Sequence, residues 1–308
     1  MNIDISIIIP LYNRSKTIGT CLDSILNQTY QNFEIIVVDD CSSDSSVDTV
    51  RSFNDKRIRL IALNANSGAQ AARNKGIKES SNDWIAFQDS DDEWDSQKLE
   101  YQVRALSTVN FDPMTVVYTD CWRHDHLTGQ NSIWNLPHIN GKNVIAKALT
   151  SPGPMFQGIL TSKSALEKIG LLDEKVPSYQ EWDTSIRLAK TCQFIHRKEP
   201  LFTYHLHSGA TISRNKELDI DGYQYVVDKF RDEIISFCGE DTYNRHIISN
   251  AIKALRWNLF DRSLNVINKC SRKNSKYYIL KIVASLRVPG LYLTLTKLNN
   301  LIKKLTKS

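Results

Sequence analysis

The sequence predicts an α/β fold, a mostly parallel β-sheet flanked by helices, with a C-terminal helical extension. Two observations carry this. Short apolar runs rich in β-branched residues alternate with helix-length stretches through the first half, the pattern of successive βαβ units. From about Leu218 onward the apolar spacing is helical only. The 308 residues, 41% hydrophobic and 24% charged, suffice for one large α/β domain and an appendage. A boundary near residue 215 separates a domain over 1–215 from a helical region over 216–308.

Taken in order, Ile5 to Ile9 and Phe33 to Val38 are nearly continuous apolar runs, as strands buried on both faces read. Arg57 to Leu63 and Asp83 to Gln88 are shorter runs of the same kind. Helices are expected over Ser15 to Gln28, Ser45 to Phe53, Ala69 to Glu79 and Ser96 to Leu106. Thr115 to Thr119, the polar residues around Thr128-Gly129, and Ser132 to Trp134 read as a hairpin or an excursion at the sheet edge. A loop at Ser151-Pro152-Gly153-Pro154 precedes short helices over Ser164 to Ile169 and Gln180 to Lys190. Longer ones follow over Tyr223 to Phe237, Tyr243 to Phe260 and Tyr278 to Leu286.

In an open parallel sheet, ligands bind beyond the carboxyl ends of the strands. That rule selects Pro10-Leu11-Tyr12-Asn13, Asp39-Asp40-Cys41-Ser42 and Asp89-Ser90-Asp91-Asp92. Neither G-x-G-x-x-G nor G-x-x-x-x-G-K-[ST] occurs, which argues against a dinucleotide enzyme and a P-loop NTPase. Crowded carboxylates at a strand end repel unless a cation is present or one is protonated. A hard divalent ion that also bridges substrate phosphates answers that need. The plainer reading is a solvated acidic loop with Asp95 capping the next helix.

Four motifs stand in order: Ser6 to Asn13, Val37 to Asp44, Ala72-Arg73-Asn74-Lys75-Gly76, and Phe87 to Trp94. Together they resemble the successive signatures of family 2 glycosyltransferases over about the first 110 residues, with a weaker match to about residue 215. The resemblance implies a GT-A fold (Rossmann-like), an inverting mechanism, a nucleotide-sugar donor, and Mn2+ or Mg2+. It implies that Tyr12 stacks on the base and Asp40 accepts a hydrogen bond from it, most plausibly from uracil. Arg73 falls near the donor's phosphates or sugar, with Pro10, Asn13, Asp89 and Ser90 on the same donor side. Asp91 and Asp92 take the metal and diphosphate positions, with His207 as a further metal contact.

The general base of the family stands at the start of a helix beyond the acceptor loop, commonly in a Glu-Asp pair. Here Gln180 replaces the Glu and Glu181 stands where Asp is more common. Glu181 is therefore the candidate base and Asp183 the reserve. Two local alternatives remain open: a capping box from Ser178 to Glu181, and an i,i+4 pair between Asp183 and Arg187. Gln157 is a candidate contact for an acceptor hydroxyl. His124 and His126, flanking a hairpin tip, are assigned to solvent.

After Asp261 the chain has eleven Lys and Arg and no acidic residue, so the net +5 of the whole chain leaves −6 for residues 1–261. Gly290 to Leu305 has the composition of a basic amphipathic helix, suited to an anionic membrane surface where polyprenyl-linked acceptors reside. Packing of this tail on the body or on a second copy of the chain is the equal alternative. No nucleic-acid-binding motif accompanies the charge. The scattered cysteines and the absence of a leader pattern or a spanning apolar stretch lead us to expect a cytoplasmic protein, with peripheral contact at the inner face of the plasma membrane.

The expected activity is transfer of a sugar from a UDP-sugar to a saccharide or lipid-linked saccharide hydroxyl, in synthesis of bacterial surface polysaccharide or glycoconjugate. Two other readings stay open. One is a nucleotidyltransferase, for which Asn13-Arg14-Ser15-Lys16 is a poor phosphate loop. The other is a non-catalytic nucleotide-sugar binding module, left open by the altered Gln180-Glu181 pair.

Overall fold

The computed structural model describes residues 3–206 and 215–296. The chain divides into two compact units, Met1–Lys175 with Gln180–Gly209, and Val176–Tyr179 with Ala210–Ser308. The first unit opens with β1 (Ile5–Leu11), α1 (Ile18–Leu26), β2 (Phe33–Asp39), α2 (Ser46–Ser52), β3 (Ile58–Ala62), α3 (Ala69–Glu79) and β4 (Trp84–Phe87). It continues with β5 (Glu93–Trp94), α4 (Lys98–Ser107), β6 (Thr115–Asp125), β7 (Gln130–Trp134) and α5 (Ile145–Thr150). A 3-10 turn (Phe156–Gly158), β8 (Leu160–Ser162), α6 (Lys163–Lys168), α7 (Gln180–Ala189) and β9 (Gln193–Leu206) complete it.

The apolar runs become strands because both their faces are covered. Ile5, Ile7 and Ile9 of β1 pack with Ile35 and Val37 of β2 and with Ile18, Cys21, Leu22 and Ile25, the buried stripe of α1. On the opposite face Ile36 and Val38 pack against Ala72 of α3. Gly76 lets α3 lie this close, since a Cβ there would come within 2.5 Å of Ile8 Cγ2.

The strands run in the order β3-β2-β1-β4-β8-β6-β9-β5, with β7 hydrogen-bonded to β6. The first four are mutually parallel, and β6 is parallel to β9. β8 runs antiparallel to β4 and β6, β5 to β9, and β7 to β6. The expected parallel sheet and edge hairpin are therefore present. β9 is not among the strands expected from the sequence. Its middle carries His196 to Glu199 and Pro200, a charged stretch with a residue that cannot donate to a ladder. The register of β9 against β6 slips on either side of Asp120, whose partner is Pro200, so its alternation is broken as well.

The second unit holds α8 (Lys216–Lys229), α9 (Arg231–Cys238), α10 (Glu240–Arg256), α11 (Phe260–Ile267) and α12 (Ser275–Leu286). The helix expected from Tyr223 begins earlier, because the Asn215 side chain accepts the Glu217 and Leu218 N–H groups. The single helix expected from Tyr243 to Phe260 breaks at Asn258, which turns left-handed at φ 61°, a conformation Asn adopts more readily than most residues. Among the described residues, no helix is long and apolar enough to cross a membrane.

Candidate active site

Register brings the three polar strand ends together. Leu11 of β1 pairs with Asp39 of β2, and Ile8 of β1 with Phe87 of β4. The loops after β1, β2 and β4 therefore leave side by side on the carboxyl edge. β1 sits where the strand order turns from β2 to β4, the switch point at which open α/β sheets form a crevice. Asn13 and Cys41, just beyond β1 and β2, have positive φ of 49° and 63°, so both strands end in sharp turns. Asn13 locks them together, donating its N–H to Ser42 Oγ at 3.0 Å and accepting the Ser43 N–H at 2.8 Å. Pro10 stays within β1 opposite Val38. Tyr12 is 46% exposed and so is not a core aromatic.

Asp40 is buried, and its carboxylate accepts the Ser67 N–H at 2.6 Å and the Gly68 N–H at 2.8 Å. It thus anchors the entrance to α3. Each oxygen already holds one amide, and its remaining lone pairs are left for a ligand.

Arg73 is buried, not an exposed helix arginine. Its Nη2 donates to Asp89 Oδ1 at 2.5 Å, and its Nη1 to Gln70 Oε1 at 2.7 Å and Gln180 Oε1 at 3.5 Å. The guanidinium lies 4.5 Å over the Phe156 ring, so an aromatic face and two amide oxygens aim it at Asp89. Arg14, which the sequence reading weighed only as part of a poor phosphate loop, places its Nε 3.0 Å from Asp91 Oδ2. The signal for it was a cation directly after a strand end that faces an acidic loop.

The acidic cluster is graded by depth. Asp89 and Asp91 are half-buried, while Ser90 and Asp92 are buried. Asp92 accepts the His205 N–H at 2.9 Å on Oδ1 and the Gln157 amide at 2.5 Å on Oδ2. Burial, then the charges of Asp91 and Asp89, push its carboxyl well above the ordinary carboxylate range. The same field reaches the buried Cys121, whose thiol burial and Asp92 push up to about 12. Asp92 thus lies at the back of the cluster, with both carboxylate oxygens already accepting hydrogen bonds. Gln157 is corrected too: it is 2% exposed, and its amide nitrogen also donates to Asp89 Oδ2 at 2.7 Å. It clamps two carboxylates instead of facing an acceptor.

Glu181 is the second residue of α7, after Gln180, and Tyr179 before them has φ 60°. The glutamate is half-buried. Burial raises its affinity for a proton and Asp89 adds to this, while its own N–H and Arg73 oppose it. The Ser178 hydroxyl donates to Leu218 O. Asp183 is 0% exposed and accepts from Arg187 Nε at 2.8 Å, the i,i+4 pair that the sequence left open. Arg187 is fixed in turn by the carbonyls of Ile169 and Leu171. A carboxylate so enclosed and paired has no path to an incoming hydroxyl, so Asp183 is withdrawn as reserve base.

His207 lies outside the described residues. His205 Nε2 is 2.8 Å from Glu93 Oε1, and its Nδ1 is 3.0 Å from His126 Nε2. His124 and His126 pack with it, ring centroids 4.5–5.6 Å apart, and His126 is solvent-exposed while His124 is partly so.

Among the described residues, no group of three or more His, Cys, Asp or Glu side chains is arranged as a metal cage. A small hard divalent ion does not require one, since it is commonly held by one or two carboxylates together with substrate phosphates and water. Asp91 and Asp89 are oxygen donors of that kind at the half-buried face of the cluster.

Comparison with known proteins accords with this geometry. Over 110 residues, 36% of this chain, it is 44% identical to UDP-Glc:alpha-D-GlcNAc-diphosphoundecaprenol beta-1,3-glucosyltransferase WfgD of Escherichia coli. That match spans 44% of the relative's length, less than half. Residues 1–349 of S. aureus TarS in complex with UDP-GlcNAc superpose with a TM-score of 0.63 at 16% identity, covering 91% of this chain and 90% of that one. A mannosyltransferase of Pyrobaculum calidifontis in complex with GDP-Man and Mn2+ gives a TM-score of 0.62 at 18% identity, covering 96% of this chain and 84% of that one. Both likenesses identify the fold as GT-A. The family model described as Glycosyl transferase family 2 matches residues 6–170, more than half of the chain, and the chain belongs to that family.

Proposed function

We propose that the chain is an inverting, metal-dependent glycosyltransferase that moves a sugar from a UDP-sugar to a hydroxyl of a saccharide or polyprenyl-linked saccharide, in bacterial surface polysaccharide or glycoconjugate synthesis. The observation that carries this reading is the meeting of an exposed aromatic, Tyr12, two arginines and a graded carboxylate cluster at one strand edge, with Glu181 beside them. The relative's named substrates, UDP-Glc and a diphosphoundecaprenol acceptor, favour the UDP-sugar and the lipid-linked acceptor.

Tyr12 would stack on the base, and the turns of Asn13 and Asp40 would shape the pocket around it. Mn2+ or Mg2+ held at Asp91, with Asp89 beside it, would supply positive charge against the leaving diphosphate. Arg73 holds Asp89 through their ion pair and turns it to the donor side. Glu181 takes the proton of the acceptor hydroxyl as its oxygen attacks the anomeric carbon. The bond from that carbon to the diphosphate oxygen breaks, UDP leaves with the electron pair, and the configuration inverts. A carboxylate that burial makes a stronger base than usual suits this step. Contact with a membrane surface would bring the chain to a lipid-linked acceptor.

The test is UDP release from UDP-Glc and UDP-GlcNAc with and without Mn2+, with and without a polyprenyl-diphosphate-linked saccharide. Metal-dependent release that acceptor accelerates supports the reading. Nucleotide binding without turnover would favour the non-catalytic alternative, and diphosphate release from a nucleoside triphosphate would favour the nucleotidyltransferase.

A further inference from the structure

Helix α12 presents two apolar faces. Tyr277, Leu280, Val283 and Ala284 are buried in the second unit, whereas Tyr278, Ile279, Ile282 and Leu286 are 53–59% exposed. At about 100° per residue, the exposed four form one continuous stripe, with Lys276 and Lys281 each about 60° beyond its edges. Large exposed apolar residues continue at Val288, Leu293 and Leu295. Isolated exposed apolar side chains are ordinary, but a contiguous stripe marks a surface that meets something apolar.

Charge identifies the occupant. Other cations of this region are neutralised within the unit: Arg262 by Asp221 and Glu217, Lys269 by Asp228, Arg272 by Asp241, Arg287 by Asp261. Among the described residues no carboxylate pairs with Lys276 or Lys281, which flank the stripe, or with Lys273 just before the helix. The sequence beyond adds Lys297, Lys303, Lys304 and Lys307 with no acidic residue. An apolar stripe bordered by lysines with no carboxylate partner matches an anionic lipid surface, with side chains entering the acyl boundary and ammonium groups among the headgroups. A second copy meeting this face symmetrically would oppose lysine to lysine. Four side chains are also far fewer than the roughly 20–30 residues a side of a stable protein interface.

We infer that the outward face of α12, Tyr278, Ile279, Ile282 and Leu286 between Lys276 and Lys281, docks the chain on an anionic membrane surface. This places the membrane contact within a folded helix rather than in the basic tail alone. It stands independently of the sugar-transfer reading.

The experiment is flotation of the full chain with vesicles of phosphatidylcholine alone and of phosphatidylcholine and phosphatidylglycerol in equal parts. The unsubstituted chain should float with the anionic vesicles only. The triple variant I279S/I282S/L286S should lose about tenfold or more of that partitioning, with an unchanged circular dichroism spectrum and unchanged UDP-sugar turnover without vesicles. K276E/K281E, which keeps the stripe, should lose the anionic preference. Equal flotation of the triple variant and the unsubstituted chain overturns the proposal, as does no flotation of the latter. A dimer in sedimentation equilibrium that the triple variant abolishes, without flotation, overturns it in favour of a second copy. Turnover is read without lipid, so a failed sugar-transfer reading leaves the flotation result intact.

Discussion

Arg14 and Asp91 form an ion pair, Nε to Oδ2 at 3.0 Å, between the loop after β1 and the loop after β4. Asp91 keeps about a fifth of its side chain exposed and Arg14 already supplies its counter-charge; on the proposed reading Asp91 would also meet the divalent ion. The two cations then compete for one group. Arg14→Gln should tighten Mn2+ binding several-fold, read directly by the loss of free Mn2+ in electron paramagnetic resonance. Asp91→Asn should weaken it by more than that. Equal Mn2+ affinity in all three proteins would remove Asp91 from the metal assignment.

Glu181 is predicted to be the proton acceptor. Glu181→Gln should lower kcat by about a hundredfold to ten-thousandfold while leaving UDP affinity, measured by calorimetry, nearly unchanged. A variant that retains most of its turnover would assign the proton to another group.

The pH profile follows from the same residue. A base works in its deprotonated form, and burial raises the pH at which Glu181 loses its proton. The acid limb of kcat/KM should therefore lie above the ordinary carboxylate range. Arg73 opposes that rise, so Arg73→Gln should move the limb to higher pH and Arg73→Lys should largely restore it. A limb that stays in place in Arg73→Gln would separate the arginine from the base.

Tyr12→Ala removes a half-exposed ring whose loss opens no core cavity. UDP binding should weaken by about 1–3 kcal/mol, the worth of a base–aromatic stack, with no change in melting temperature. An unaltered Kd would show that the base lies elsewhere.

Gly76→Ala tests the close contact of α3 on β1. The added Cβ would stand 2.5 Å from Ile8 Cγ2, and overpacking of this kind costs about 1–3 kcal/mol. The denaturation midpoint should fall, and donor affinity with it, because α3 carries Arg73. Full stability would mean that the helix shifts without strain.

The sequence by itself determined the alternation of buried strands and helices, the polar ends of β1, β2 and β4, and the family, because each is written within a few consecutive residues. Burial on both faces demands unbroken Ile and Val in β1 and β2, and close helix packing demands Gly76. The Asp183–Arg187 pair was legible for the same reason, lying one helical turn apart. What only the tertiary structure decided is which polar group meets which. Arg14 and Asp91 are 77 residues apart, Gln157 and Asp92 are 65, and His205 and Asp92 are 113. No periodicity spans such gaps, and the same side chain reads equally as solvent-exposed, clamping or catalytic until the segments come together. That is why Gln157 proved a clamp, Asp92 a buried acceptor and Arg14 a partner, and why β9, broken by charge and Pro200, became visible as a strand only through its pairing with β6.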